Sequence, residues 1–81
     1  MSWYVYILRC GDDTLYTGIT DDVARRLAAH RSGRGAKYTR GRGPLELIYT
    51  EEVSDKPAAL RREYQIKRLS RSEKEQLIRR A

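Results

Sequence analysis

Two side chains of this 81-residue chain have the chemistry of a site that works on phosphate, and they lie far apart in sequence. Arg26 carries a permanent cation of the kind that stabilises charge developing on phosphorus during phosphoryl transfer. His30, four residues later, projects from the same side of a helix. A lone histidine is more often structural than catalytic, so His30 is expected at the border of a pocket rather than at its centre. Glu63 shares a helical row with Ala59 and Ile66, which sets its carboxylate beside the apolar stripe. A hard oxygen ligand at the edge of a phosphate-receiving pocket suits Mg²⁺, which takes one or two carboxylates and keeps its waters. The plainer reading of Glu63 with Lys67 is a surface pair worth about 0.2–0.5 kcal/mol. Residues 31–43 carry the clearest binding signal: Arg31, Arg34, Lys37, Arg40 and Arg42, no acid, and four of the six glycines. Glycines let backbone N–H groups approach phosphates, the cations neutralise them, and Tyr38 is available to stack on a base. A solvated, mobile loop is the plainer reading of the same residues.

These groups need elements to hold them. Trp3 to Arg9 is aromatic and β-branched, Thr14 to Ile19 is a second strand candidate, and Gly11-Asp12-Asp13 between them signals the turn of a hairpin. Side chains alternate along a strand, so Tyr4 and Tyr6 share one face and Trp3, Val5 and Ile7 the other. On the second run Tyr16 and Gly18 stand opposite Leu15, Thr17 and Ile19. The apolar sets belong together on the buried side, which turns the tyrosines towards each other. Gly18 leaves a gap beside Tyr16, as happens where another group approaches backbone closely. Tyrosines are also ordinary strand formers, and a cross-strand aromatic pair explains them equally well.

Thr20 is the expected N-cap of a first helix, with Asp21 and Asp22 in its first turn and an apolar stripe through Val23, Ala24, Leu27 and Ala28. That helix should end near Ser32-Gly33. Leu45 to Val53 reads as a third strand. Ser54 or Asp55 caps a second helix, with Pro57 in its first turn and Leu60, Tyr64 and Lys67 along one side. Ser70-Arg71-Ser72-Glu73 is a capping box opening a last helix with Leu77 and Ile78. The order is ββαβαα, without internal repeats, and residues 1–81 are expected to form one domain.

Composition bounds the rest. Seventeen Lys and Arg against eleven Asp and Glu leave a formal charge of +6 and a pI near 9.8, which favours polyanions, nucleic acid first and an acidic membrane surface second. A chain of this size holds one thin core. Cys10 is the single cysteine and His30 the single histidine, which excludes disulfide staples and a thiolate zinc site. No signal peptide or membrane-spanning run is visible, so the expected location is the cytoplasm.

Tyr4-Val5-Tyr6, Tyr16-Thr17-Gly18, Arg26 with His30, and Glu63 together resemble the GIY-YIG nuclease family across the whole chain. The run Leu15 to Thr20, then Arg26-Leu27 with His30, then Ala59-Leu60-Arg61-Arg62-Glu63, is most similar to its small single-domain bacterial, UPF0213-like members. The resemblance implies an α+β fold, a small three-stranded antiparallel sheet flanked by helices. It also implies a metal-dependent endonuclease that hydrolyses phosphodiester bonds with Mg²⁺ or Mn²⁺, structure-selective or weakly selective, with a role in DNA repair. By the same resemblance Tyr16 helps take a proton from the attacking water and Tyr6 orients water or phosphate. Arg26 stabilises the transition state, Glu63 holds the metal, and His30 matches a histidine on the same helix of several members. Two departures stand out. Tyr4 occupies the position of the family's first glycine, and the chain has no Asn, which many active members carry late in the domain; Lys67 and Gln65 are the candidates for part of that role. The rival readings are a nucleic-acid-binding module acting with repair or RNA-processing partners, and a structural interaction protein. The expected partner is nucleic acid, DNA ahead of RNA, with a monomer and a weak dimer both open.

Overall fold

The computed structural model describes residues 2–80. The first apolar run becomes strand β1 (Trp3–Arg9), which pairs antiparallel with β2 (Leu15–Thr20) on one side and β3 (Glu46–Val53) on the other. The sheet order is therefore β2-β1-β3, with the most apolar strand in the middle, where both its faces can be covered. Helices α1 (Val23–Arg31), α2 (Lys56–Lys67) and α3 (Arg71–Arg80) complete the order ββαβαα, and Lys37–Thr39 forms one turn of 3₁₀ helix. The α+β class and the three-stranded antiparallel sheet are as the sequence implies. None of the described helices is long and apolar enough to cross a membrane.

Burial departs from the expected single core, because the sheet is covered on both faces. On one face Val5, Ile7 and Tyr49 pack with Ala59 and Ile66 of α2 and with Leu77 and Ile78 of α3. On the other, Tyr6, Leu8, Cys10 and Leu45 pack with Tyr16, Leu27 and Leu47. Val5, Ile7, Leu8 and Ile66 are fully buried, each worth about 1.5–3 kcal/mol relative to exposure. Strict alternation fails on β3. The register shifts between Ile7, which faces Tyr49, and Leu8, which faces Leu47. This bulge sends Leu47 to one cluster and both Ile48 and Tyr49 to the other.

Several local expectations are corrected. Thr20 does not cap α1, because it is still paired with Tyr4 as the last residue of β2. Its hydroxyl instead takes the Asp22 N–H at 3.1 Å, and the Asp22 carboxylate caps the helix by accepting from the Arg25 N–H at 3.1 Å. The helix is turned so that Ala24 and Ala28 face solvent, while Leu27 and His30 face the sheet. On α2 Asp55 caps, accepting from the Ala58 N–H at 2.9 Å. The capping box holds as read, with Ser70 and Glu73 exchanging backbone bonds at 2.8 and 3.2 Å.

The rotation of α2 decides where Glu63 goes. Ala59 and Ile66 face the core, leaving Leu60 and Tyr64 exposed. Arg62 reaches Glu51 of β3 at 2.8 Å, and Glu51 also accepts from the Tyr49 hydroxyl at 2.6 Å. Burial opposes ionisation of Glu51, yet these two donors hold its carboxyl below the usual range. Successive helical residues point about 100° apart. With Arg62 tied to β3, Glu63 points to a different flank of α2, close enough to Tyr6 of β1 to act on its phenol.

Candidate active site

Tyr6 is the centre around which the separated residues meet. It lies on the middle strand and is 2% exposed. Opposite it in the ladder stands Gly18. A Cβ on Gly18 would lie 2.5 Å from the Tyr6 hydroxyl and 2.7 Å from its ring, so only bare backbone leaves room for the phenol. The gap read at Gly18 is thus filled by Tyr6. Tyr16 shares this face, its ring centroid 6.4 Å from that of Tyr6.

His30 comes down from the last turn of α1 between the two tyrosines and meets both edge-on, at 5.8 and 5.4 Å between centroids. It is 2% exposed. Its Nε2 shares a 2.7 Å hydrogen bond with the Tyr6 hydroxyl, and its Nδ1 a 2.9 Å bond with Thr39 Oγ1. The expectation that His30 would sit at the pocket's border is therefore corrected. A helix that ends over the sheet delivers its last inward residue to the middle of that face. Desolvation first, and the nearby Arg26 cation second, lower the imidazole below its ordinary range, so the ring is neutral at pH 7. Burial raises the Tyr6 phenol, and Tyr16 and Glu63 add to this, while the adjacent Arg26 guanidinium opposes it. Tyr6, Tyr16, Arg26, His30 and Glu63 thus lie within electrostatic reach of one phenol.

Glu63 is 19% exposed at its side chain and pairs with Lys67 at 3.2 Å. Lys67 borders a surface hollow of about 250 Å³ that Leu15, Tyr16, Thr17, Tyr38 and Lys74 also line. No group of three or more His, Cys, Asp or Glu side chains suited to a metal occurs among the described residues. A lone half-buried carboxylate does not make a closed protein cage, but it fits Mg²⁺, which keeps most of its waters and shares phosphate oxygens.

The basic loop is more ordered, and less uniform, than its composition suggests. Arg31 donates to the Leu45 carbonyl at 3.2 Å, and Arg42 is held by Asp12 at 2.5 Å. Arg42 also lies 4.3 Å over the Tyr38 ring, while Tyr38 stacks on Tyr16 at 5.8 Å and 25°. Tyr38 keeps 41% exposure, although Tyr16 and Arg42 already pack on its ring. Arg34, Lys37 and Arg40 are exposed and have no carboxylate partner among the described residues. Gly35 packs so closely on the His30 imidazole that a side chain there would collide with it. Sequence reasoning missed Thr39, Gly35, Lys74 and Asp12. Their roles depend on how the loop folds back, and no local pattern announces that.

Residues 2–76 match the family model for the GIY-YIG catalytic domain. A UPF0213 protein of Natronomonas pharaonis is 59% identical over 93% of this chain and 88% of its own length. A UPF0213 protein of Vibrio cholerae is 57% identical over 94% of this chain and 76% of its own. Among solved structures, the NMR structure of a UPF0213 protein from Bacillus halodurans superposes with a TM-score of 0.62 at 56% identity, covering 96% of this chain and 83% of that one. An E. faecalis protein gives 0.67 at 41% identity, over 98% and 84%.

Proposed function

Because the chain belongs to the GIY-YIG catalytic domain family, we propose that it is a metal-dependent endonuclease that hydrolyses phosphodiester bonds in nucleic acid. We read residues 1–81 as one domain acting in the cytoplasm, on DNA in preference to RNA, with structure-selective or weak selectivity and a role in repair. The observation that carries this reading is the hydrogen bond between Tyr6 and His30, surrounded by Arg26, Tyr16 and Glu63.

The roles of the two tyrosines are exchanged relative to the sequence-based reading. Tyr6, with an acceptor behind it, is the residue that takes the proton, and Tyr16 orients the water or phosphate beside it. With its own proton directed at His30 Nε2, the Tyr6 oxygen offers lone pairs to an attacking water. The water oxygen bonds to phosphorus and the bond to the leaving oxygen breaks. One water proton passes to Tyr6 as the Tyr6 proton passes to His30, and the leaving oxygen takes a proton from solvent. Arg26 stabilises the charge growing on the phosphate oxygens. Glu63 would hold Mg²⁺ or Mn²⁺, which when bound neutralises phosphate charge and assists the leaving oxygen. Lys67 must then release Glu63, and its ammonium is free to meet a phosphate. Arg34, Lys37 and Arg40 grip the backbone, with Arg31, Arg42 and Tyr38 shaping the loop that presents them.

The test is cleavage of duplex, single-stranded, nicked and branched substrates with Mg²⁺ or Mn²⁺, in the parent and in Glu63→Gln. The expected result is metal-dependent cleavage, lost by at least about 10²-fold in the variant, with metal-free DNA affinity unchanged or slightly higher. Parental cleavage by Glu63→Gln would remove the enzyme assignment. Binding without any cleavage would leave the nucleic-acid-binding module.

A further inference from the structure

Thr39 belongs to none of the motifs, yet it is 3% exposed and, among the described residues, is the only group hydrogen-bonded to the far side of His30. Its hydroxyl makes two contacts at 2.9 Å, one to His30 Nδ1 and one to the Ala36 carbonyl. The second contact decides the first. A separation of 2.9 Å between two oxygens is that of an O–H···O hydrogen bond, and a carbonyl has no proton to give. The single hydroxyl proton of Thr39 therefore points at Ala36, which leaves its oxygen to accept from His30. A neutral imidazole that donates from Nδ1 has its lone pair on Nε2, facing the Tyr6 hydroxyl at 2.7 Å. The sequence Tyr6 O–H, His30 Nε2, His30 Nδ1–H, Thr39 O–H, Ala36 C=O thus runs in one direction and ends on loop backbone. The opposite tautomer would turn the Tyr6 proton away from His30 and towards the substrate.

We propose that Thr39 is a positioning residue that fixes the tautomer of His30, so that the grip of the basic loop and the readiness of Tyr6 are set by one segment. The argument rests on the nuclease reading of the site. The link to binding is the chain itself. Thr39 ends the 3₁₀ turn Lys37–Thr39, and the exposed Lys37 and Arg40 lie two residues before it and one after. A loop that closes on phosphate holds the Thr39 hydroxyl against the imidazole; a loop that lifts takes it away. Gly35 serves the same closure, since a side chain there would force the loop off His30.

His30 is the only histidine in the chain, so its ring resonances in a two-bond ¹H–¹⁵N spectrum need no assignment. The parent is expected to show the Nδ1–H form alone. Thr39→Val keeps the shape and removes the hydroxyl; it should give a mixture of tautomers, with kcat down about 10–100-fold, as when the partner that orients a metal-bound histidine is lost, and KM little changed. Thr39→Ser, which keeps the hydroxyl, should restore both the spectrum and kcat to within about threefold of the parent. An Nε2–H ring in the parent overturns the proposal, and so does a Thr39→Val protein with parental spectrum and kcat. Equal damage in the serine and valine variants overturns it as well, because packing would then be the cause. If the parent does not cleave, the nuclease reading falls, and the ring spectra of the parent, Thr39→Val and Thr39→Ser still decide the role of Thr39.

Discussion

Replacing Gly18 by alanine tests directly whether the Tyr6 phenol is seated against bare backbone. The added methyl would stand 2.5 Å from the Tyr6 hydroxyl, 2.7 Å from the adjoining ring carbon and 3.1 Å from Tyr16. Ordinary contact begins near 3.4 Å, so the Tyr6 ring must retreat by about an ångström or the strands must part. The ring cannot swing out, because it is on the central strand and 2% exposed. Overpacking of this kind costs about 1–3 kcal/mol. Relief by moving the hydroxyl off His30 leaves a buried acceptor unpaired, at about 1–3 kcal/mol. The molecule takes the lesser distortion, so a loss near 2 kcal/mol is expected rather than the total of both, about 2 kcal/mol being the middle of either range. With a urea dependence of about 1 kcal/mol/M for so small a domain, the unfolding midpoint should fall by about 2 M. Gly43→Ala is the control: its Cβ would meet nothing within 4 Å and its φ is not positive, so its effect should stay within about 0.5 kcal/mol. Cleavage by Gly18→Ala should fall about 10²-fold, the cost of a misplacement near an ångström. A Gly18→Ala midpoint equal to that of Gly43→Ala would refute the seating of Tyr6 against Gly18.

Two further outcomes follow from the site's electrostatics. His30 is held below its ordinary 6.5 by burial and by Arg26, so beneath that pH the unfolded chain binds a proton the folded chain refuses. Stability is then complete above about pH 6.5 and declines as pH falls through the window below it; urea denaturation at about pH 7.5 and 5.5 should show this decline in the parent and not in His30→Gln. Replacing Arg34, Lys37 and Arg40 together by alanine should flatten the dependence of log K on log[salt] for duplex by about one to three units, and an unchanged slope would move the binding surface off this loop.

Much of the molecule was legible because its signals are local. The apolar runs of β1 and β2 needed only side-chain alternation. Asp55 and the Ser70–Glu73 box are caps whose partners lie three residues away, so each is decided by the residues beside it. The kinds of residue in the site were also visible, since Arg26, His30 and Glu63 carry chemistry that their neighbours do not. What sequence reasoning misjudged was rotation about an axis. The apolar stripe assigned to α1 through Ala24 and Ala28 faces solvent, because the sheet draws in Leu27 and His30 instead.

The sequence by itself determined the elements, their order and the basic character of the loop, because propensity, capping and charge act over a few residues. Only the tertiary structure decided that Tyr6 is the residue at the centre, that His30 stands between two tyrosines, and that Arg62 ties to β3 while Glu63, on a different flank of α2, lies near Tyr6. It alone brought Thr39 onto His30 from nine residues away, and Asp12 onto Arg42 across thirty. Such contacts depend on how a loop closes over a sheet face. That closure is set by what the face leaves to be covered, a gap at Gly18 filled by a phenol and a buried imidazole needing a partner, and no local pattern in the chain encodes it.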